Sequence, residues 1–160
     1  MVPLDFLEKV EVFKDLDDEQ LTVIQEQCET SEYMREEQIF SAGDAPRYLW
    51  VVMTGQVDLH WEIPGRSVSA EKKISSLTET ATFGWSSLVP PHKYRLSAVC
   101  SSRTCTLIKI SKDRLVDLFE KEASIGYKVM TGLLSVVGSR FLNLQDEVAR
   151  RRGSDILNRW

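Results

Sequence analysis

Apolar positions along the chain change their period twice. Leu4, Phe6, Leu7 and Val10 fall on one short face. In "DDEQLTVIQEQC", Leu21, Ile24 and Cys28 recur at helical spacing behind acids that suit a helix N-terminus. Residues 1–30 are therefore expected to be helical. Short β-rich runs broken by turn residues follow in "EQIFSAGDAPRYLWVVMTGQVDLHWEIPG". Val57, Leu59 and Trp61 share one face of a predicted strand, and Asp58 and His60 share the other. "IPGRS" predicts a reversal, with a strand after it in "SVSAEKKISSL", and "RLSAVCSS" and "TCTLIKI" read as two further strands. From Lys112 the helical period returns. Ser111 is the expected N-cap, and Leu115, Leu118 and Phe119 lie on one face. A longer helix over 123–151 carries Met130, Leu133, Val137, Phe141, Leu144 and Val148 at three- to four-residue intervals, with Gly153 as its expected stop. Arg140 interrupts this stripe. Gly132 and Gly138 each lower helix propensity by about 1 kcal/mol relative to Ala, a cost that close approach of a second helix would offset.

Short strands roughly every ten residues imply a barrel or sandwich, not a parallel sheet with helical crossovers. With no linker, repeat or compositional break, the expected organisation is one domain over 1–160. Its parts are N-terminal helices (1–30), a β-barrel (31–111) and C-terminal helices (112–152). Composition narrows the function. The 160 residues are 42% hydrophobic and 28% charged, with a net charge of -4. A balance of that sign argues against coating nucleic acid or an acidic membrane. The acidic N-terminus is no signal peptide, and no apolar run reaches the roughly 18 residues of a membrane span, so a cytoplasmic protein is expected. Cys28, Cys100 and Cys105 are odd in number and lack a C-x-x-C, which indicates neither a disulfide framework nor a zinc knuckle. Cys100 and Cys105 are expected as small buried residues or as flanks of a turn between adjacent strands.

The candidate chemistry lies in "TFGWSSLVPPHKYRLSA", residues 82–98. Its small residues let backbone approach a ligand, so Gly84, Ser86 and Ser87 can offer N–H and hydroxyl donors to an anion. A positioned Arg would add a charge-assisted contact. The stretch contains no acid. Elsewhere no nucleophile–base set, metal-ligand set or phosphate-loop signature appears, so no catalytic activity is expected. His60 is expected on a strand surface, His92 in an exposed loop, and Arg150, Arg151 and Arg152 as partners of a helix dipole.

On these residues the chain resembles the cyclic nucleotide-binding domain family of the catabolite-activator type. "IFSAGDAPRYLWVVMTGQVDL" is similar to the family's front half, with Gly43-Asp44 before a strand and Gly55 before the next. "FGWSSL", the Pro pair and "RLSAV" resemble its phosphate-binding cassette, and the resemblance runs over about 10–148. It implies a mainly β fold with flanking helices: a double-stranded β-helix (jelly-roll) barrel, N-terminal helices and a long C-terminal helix. It also implies a ligand site at Phe83, Gly84, Trp85, Ser86, Ser87, Tyr94, Arg95, Leu96 and Ser97. By the same resemblance the long helix pairs with its twin through the Met130–Val148 stripe in a homodimer, and ligand contact at the cassette shifts the C-terminal helices.

The family's ribose-binding Glu falls on Trp85, whose indole can donate but not accept at nitrogen and whose bulk would occupy the sugar's space. The family's Arg falls on Arg95 counting forward from Gly84, or on Tyr94 counting back from the strand, and a one-residue slip reverses the side chain's face. Since a hydrogen bond to a charged group is worth about 1.5–3 kcal/mol, these replacements predict weak or lost cyclic AMP and cyclic GMP binding. The resulting expectation is a regulatory, effector-binding module for a small-molecule effector, with a cyclic nucleotide as the family's ligand. The alternatives are a protein-interaction module with Trp85 plugging an empty pocket, or a haem or redox sensor using His60, His92 or the Cys residues. Transcription factors of the family continue into a helix-turn-helix. Here "GSDILNRW" follows the three Arg, so direct DNA binding is not expected.

Overall fold

The computed structural model describes residues 1–61 and 73–157, with side chains through 154. Helix α1 (Leu4–Leu7) and helix α2 (Asp18–Gln25) open the chain. A capping box starts α2: the Asp17 carboxylate accepts from the Gln20 N–H at 2.9 Å, and the Gln20 side chain accepts from the Asp17 N–H at 3.3 Å. Cys28 does not extend this helix as its spacing predicts. It begins β1 (Cys28–Met34), though its thiol still donates to the Ile24 carbonyl at 3.3 Å, and burial pushes its pKa up to about 12. The sequence of β1, "CETSEYM", shows no apolar alternation because β1 is an edge strand with little of its surface inside.

The remaining strands are β2 (Gln38–Phe40), β3 (Tyr48–Thr54), β4 (Val57–His60), β5 (Lys73–Leu77), β6 (Thr82–Phe83), β7 (Ser97–Cys100) and β8 (Thr104–Ser111). They form two antiparallel four-stranded sheets, ordered β1-β8-β3-β6 and β2-β7-β4-β5, in a jelly-roll. The sheets stay separate and do not close into the expected barrel. The reversal over "IPGRS" and the first part of the strand predicted over 67–77 lie outside the described residues. Trp61 lies past the end of β4 and is half exposed, so it does not share the buried face of Val57 and Leu59.

Two cores result. Between the sheets, Trp50, Val52, Phe83 and Leu107 of the first sheet meet Val57, Leu59 and Ala98 of the second. On the other face of the first sheet, Leu49, Val51, Ile108 and Ile110 pack against Phe13, Leu21, Ile24 and the C-terminal helices. Strands β3 and β8 are therefore buried on both faces, which is why "YLWVVM" reads as an unbroken apolar run. Gly55 turns β3 into β4 at φ +87°, where an added Cβ would lie 2.4 Å from the Thr104 carbonyl oxygen. Cys100 and Cys105 do flank the turn from β7 to β8. They are also joined by a disulfide with a Cα–Cα distance of 6.0 Å, a pairing that their short separation and odd count had hidden.

Helix α3 (Lys112–Lys121) has Ser111 at its N-cap position without a side-chain capping bond. Helix α4 (Ala123–Leu157) continues through Gly153 and does not stop there; a single exposed Gly costs a long helix only about 1 kcal/mol. The first half of α4 lies on the domain, with Ile125, Val129, Leu133 and Val136 buried. Leu133 therefore belongs to the domain's own core and not to an open stripe. Arg140 follows on this same side, so it does not interrupt the exposed stripe. Gly132 does permit a close approach, but to the N-terminal segment: an added Cβ would lie 2.8 Å from the Val12 Cα. At Gly138 an added Cβ would meet no atom within 4 Å beyond its own stretch of helix backbone.

Opposite signs are expected for the two glycines. Gly138→Ala should stabilise the domain by up to about 1 kcal/mol through helix propensity. Gly132→Ala should destabilise it, because forcing a methyl into packed backbone costs roughly 1–3 kcal/mol and exceeds the propensity gain. Thermal melts should show shifts of about 2–4 °C per kcal/mol in opposite directions; shifts of the same sign would contradict the packing at Val12.

Candidate functional site

Strand β6 leads into the cassette. Gly84 follows at φ +69°, and a single 3-10 turn, Trp85–Ser87, comes next. An added Cβ at Gly84 would lie 2.6 Å from Trp50 Cδ1 and 3.2 Å from the Tyr48 carbonyl oxygen, so only glycine lets the backbone settle on the indole. The Pro90–Pro91 peptide is cis, and His92 sits at φ +55° with its Nδ1 3.2 Å from the Ser87 carbonyl oxygen. The chain then returns alongside the Gly43-Asp44 turn. The Gly43 N–H donates to the Tyr94 carbonyl at 2.7 Å, the Tyr94 N–H to the Asp44 carbonyl at 3.3 Å, and the Ala42 N–H to the Ser97 hydroxyl at 2.9 Å. The two motifs that carry the resemblance thus form one contiguous rim.

Beneath that rim the space between the sheets is filled with aromatic side chains. Tyr94 is only 6% exposed and its ring stacks on Phe40, with centroids 3.7 Å apart and planes 8° from parallel. Phe83 lies 6.0 Å from Phe40 and 6.2 Å from Trp50, near parallel to the latter. Tyr33 and Tyr48 meet Trp50 edge-on at 6.3 Å and 5.6 Å. The edge-to-face pairs each add about 0.5–1.5 kcal/mol beyond area burial. The two most buried polar tips are satisfied inside the cluster: Trp50 Nε1 donates to the Tyr94 hydroxyl at 3.4 Å, and that hydroxyl donates to the Tyr48 carbonyl at 3.2 Å. Burial holds the Tyr94 phenol above its usual pKa, against smaller opposing effects of the Trp50 and Tyr48 bonds. The hydroxyl therefore stays protonated and keeps donating.

The predicted site residues separate into three groups. Phe83, Tyr94 and Leu96 face the aromatic cluster; Gly84 sits on it, and Ser97 ties the rim. Arg95 is exposed, as is the cassette's other cation, Lys93. Trp85 departs from expectation. It packs partly buried against the helix-side core with Leu88 and Val89, not between the sheets where the sugar's space was placed. The 3-10 turn directs it there, because it reverses the chain immediately after β6. The indole beneath the cassette belongs to Trp50, which sequence reasoning missed along with Phe40, Tyr48 and Tyr33. The one signal was an aromatic at alternate positions 48 and 50 of a strand otherwise made of aliphatics. Ser87 is fully buried, and its hydroxyl has no partner among the described residues. Ser86 is partly buried. His60 ends β4 with its Nδ1 unpartnered among the described residues. No group of three or more His, Cys, Asp or Glu among the described residues is placed to hold a metal ion.

The fold is similar to those of known proteins. The family model for the Cyclic nucleotide-binding domain matches residues 30–122. A protein described as cyclic nucleotide-binding, from Geobacter metallireducens GS-15, is 25% identical with a TM-score of 0.74, over 88% of this chain and 99% of that one. A cyclic nucleotide-binding domain from Methylobacillus flagellatus KT is 24% identical with a TM-score of 0.78, over 92% and 81%. The Thermus thermophilus Catabolite Activator Protein is 20% identical with a TM-score of 0.72, over 89% of this chain and 63% of that one. No curated protein matches. The Gly43-Asp44 turn, the cassette and the strands between them lie within the matched residues, and the chain belongs to the cyclic nucleotide-binding domain family.

Proposed function

We propose that this domain is a non-catalytic regulatory module in which the protein's own aromatic side chains take the place of a cyclic nucleotide. The observation that carries this reading is the Trp50 indole directly under Gly84, continued by Phe83, Phe40 and Tyr94. A cyclic phosphate at the cassette would need a cation. Tyr94 turns inward without a charge while Arg95 and Lys93 face solvent. Burying an anion without its counter-charge costs several kcal/mol. A ribose and base would also have to displace a stacked cluster already packed and hydrogen-bonded. An effector entering here would be apolar and flat.

The output of the module in this reading is α4. Tyr127, Met130, Leu134, Phe141, Leu144 and Val148 are exposed, and Val137 is partly so. They alternate by three and four residues, the a/d pattern of a two-helix seam, over a span of roughly 30 Å. Leu134, 71% exposed, takes the place in the stripe that Leu133, 2% exposed, cannot. We assign the seam to a second copy of this chain, with a protein partner as the other occupant of the same surface. The reading places the module in the cytoplasm; no described helix is long and apolar enough to cross a membrane. A reducing cytoplasm would hold Cys100 and Cys105 as thiols. Both would then have backbone acceptors, since Cys105 Sγ lies 3.0 Å from the Gln56 carbonyl oxygen and Cys100 Sγ 3.6 Å from that of Tyr33.

Calorimetry with cyclic AMP and cyclic GMP should give no saturable heat at micromolar concentrations. A dissociation constant at or below about 1 μM, roughly −8 kcal/mol, would overturn the filled-site reading. Trp85→Glu restores the family's residue, yet it should not create binding. Its expected effect is a loss of about 1–3 kcal/mol of stability from helix-side packing, read by thermal denaturation.

Light scattering at tens of micromolar should give twice the chain mass. Leu134→Asp with Leu144→Asp should yield folded monomers, whereas Leu133→Ala should lower stability by about 2–5 kcal/mol without acting through the seam. A monomeric unmodified chain would remove the second copy from this reading.

A further inference from the structure

The contacts of α4 with the rest of the domain end at one residue. Up to Val137 the helix is held by apolar packing, by Lys128 donating to the Gln20 side chain at 2.7 Å, and by Ser135 donating to Glu11 at 3.2 Å. Every residue described from 141 to 154 is exposed. Between these two regimes stands Arg140. Its guanidinium donates to the backbone carbonyl of Thr82. Thr82 is the first residue of β6, 2% exposed, on an edge strand whose only sheet neighbour among the described residues is β3. An edge carbonyl with no second strand beside it needs another donor. Arg140 supplies one across 58 residues of sequence. Burial pulls the Arg140 pKa below its ordinary value, and the Glu11 carboxylate pulls it the other way. The guanidinium is thus a cation drawn out of water to reach one peptide group.

That peptide group is adjacent to the site. Residue 83 pairs in register with Trp50 and its ring lies against the indole, and residue 84 rests on the same indole. A change in the aromatic cluster that moves β6 must move the Thr82 carbonyl with it. The side chain bonded to that carbonyl sits where the packed half of α4 gives way to the projecting half.

We propose that Arg140 is the positioning residue that couples the aromatic cluster under the cassette to the projecting half of α4, through its hydrogen bond to the Thr82 carbonyl. This rests on the reading of the domain as a regulatory module and names the contact through which its state reaches the helix. The coupling is reciprocal: a loosened cluster frees the helix beyond Val137, and a helix released at Arg140 loosens the cassette.

Amide hydrogen exchange on the full chain tests this in four forms: unmodified, Trp50→Phe, Arg140→Gln and the double variant. Trp50→Phe should speed exchange over 137–148 by about fivefold or more when Arg140 is present, and by less than about twofold in the Arg140→Gln background. Arg140→Gln alone should speed exchange over 83–88. Arg140→Lys, which keeps a charged donor, should retain part of the coupling. If Trp50→Phe does not fold by circular dichroism, Tyr94→Phe takes its place, since it removes the hydroxyl between Trp50 and Tyr48 and keeps the stacked ring. Equal effects of the cluster variant in the two backgrounds, or no effect on 137–148 in either, would overturn the proposal. Light scattering on the same samples separates the two readings. Coupling in a monomeric chain leaves Arg140 in its role and removes the dimer; a dimer without coupling does the reverse.

Discussion

Strand β3 is a wall with a core on each side, and most of the structure follows from its alternation. Leu49 and Val51 point toward the helices, while Tyr48, Trp50 and Val52 point between the sheets. A strand buried on both faces cannot slip, because a one-residue shift would exchange the two sets and put a Trp against the helices and a Leu under the cassette. Its register with β8 on one side and β6 on the other therefore positions Gly84 over the indole. The cassette takes its shape from this contact as much as from its own sequence.

The same wall also sets what lies beneath the cassette. A phosphate site is expensive unless a cation and several N–H donors converge on it. Here the interior is made of rings, and the polar atoms of Trp50 and Tyr94 bond to each other and to nearby backbone. Trp50, Tyr94 and the Tyr48 carbonyl form a closed chain of donors and acceptors. Such an interior is a core by any energetic measure: apolar area is removed from water and no buried charge awaits a partner. Helix α4 in turn exposes apolar residues on its outward side, while its inward side is used by the domain.

Helix α4 combines two kinds of surface that differ by about a third of a turn. Ile125, Val129, Leu133 and Val136 serve the domain, and the Tyr127-to-Val148 set, Val137 apart, is exposed. Gly132 marks the tightest contact of the first kind, on the Val12 backbone, and Arg140 its end. The half of the helix beyond that point is held by its own hydrogen bonds and by the charge pair Arg151 with Glu147. Its place in space depends on what grips the helix upstream.

Much of this was open to reading in the sequence, because period and turn chemistry are local. The helix–strand–helix order, the Gly43-Asp44 turn, the Gly55 and Gly84 positions and the extent of the cassette rest on residues close together in the chain. So do the two C-terminal helices. Local patterns failed where the outcome depends on distant partners. The polar β1 is a strand only because β8 lies beside it. Trp85 and Trp50 are equally apolar in the sequence, and it is the 3-10 turn after β6 and the pleat of β3 that send one to the helix side and the other between the sheets. The Cys100–Cys105 bond depends on the turn that carries the chain from one sheet to the other and brings the sulfurs together. Leu133 and Leu134 differ by a single helical step of about 100°. The sequence could show a stripe of apolar residues along α4, but only packing against Val12 and the N-terminal core decided which leucine that stripe had already lost to the domain.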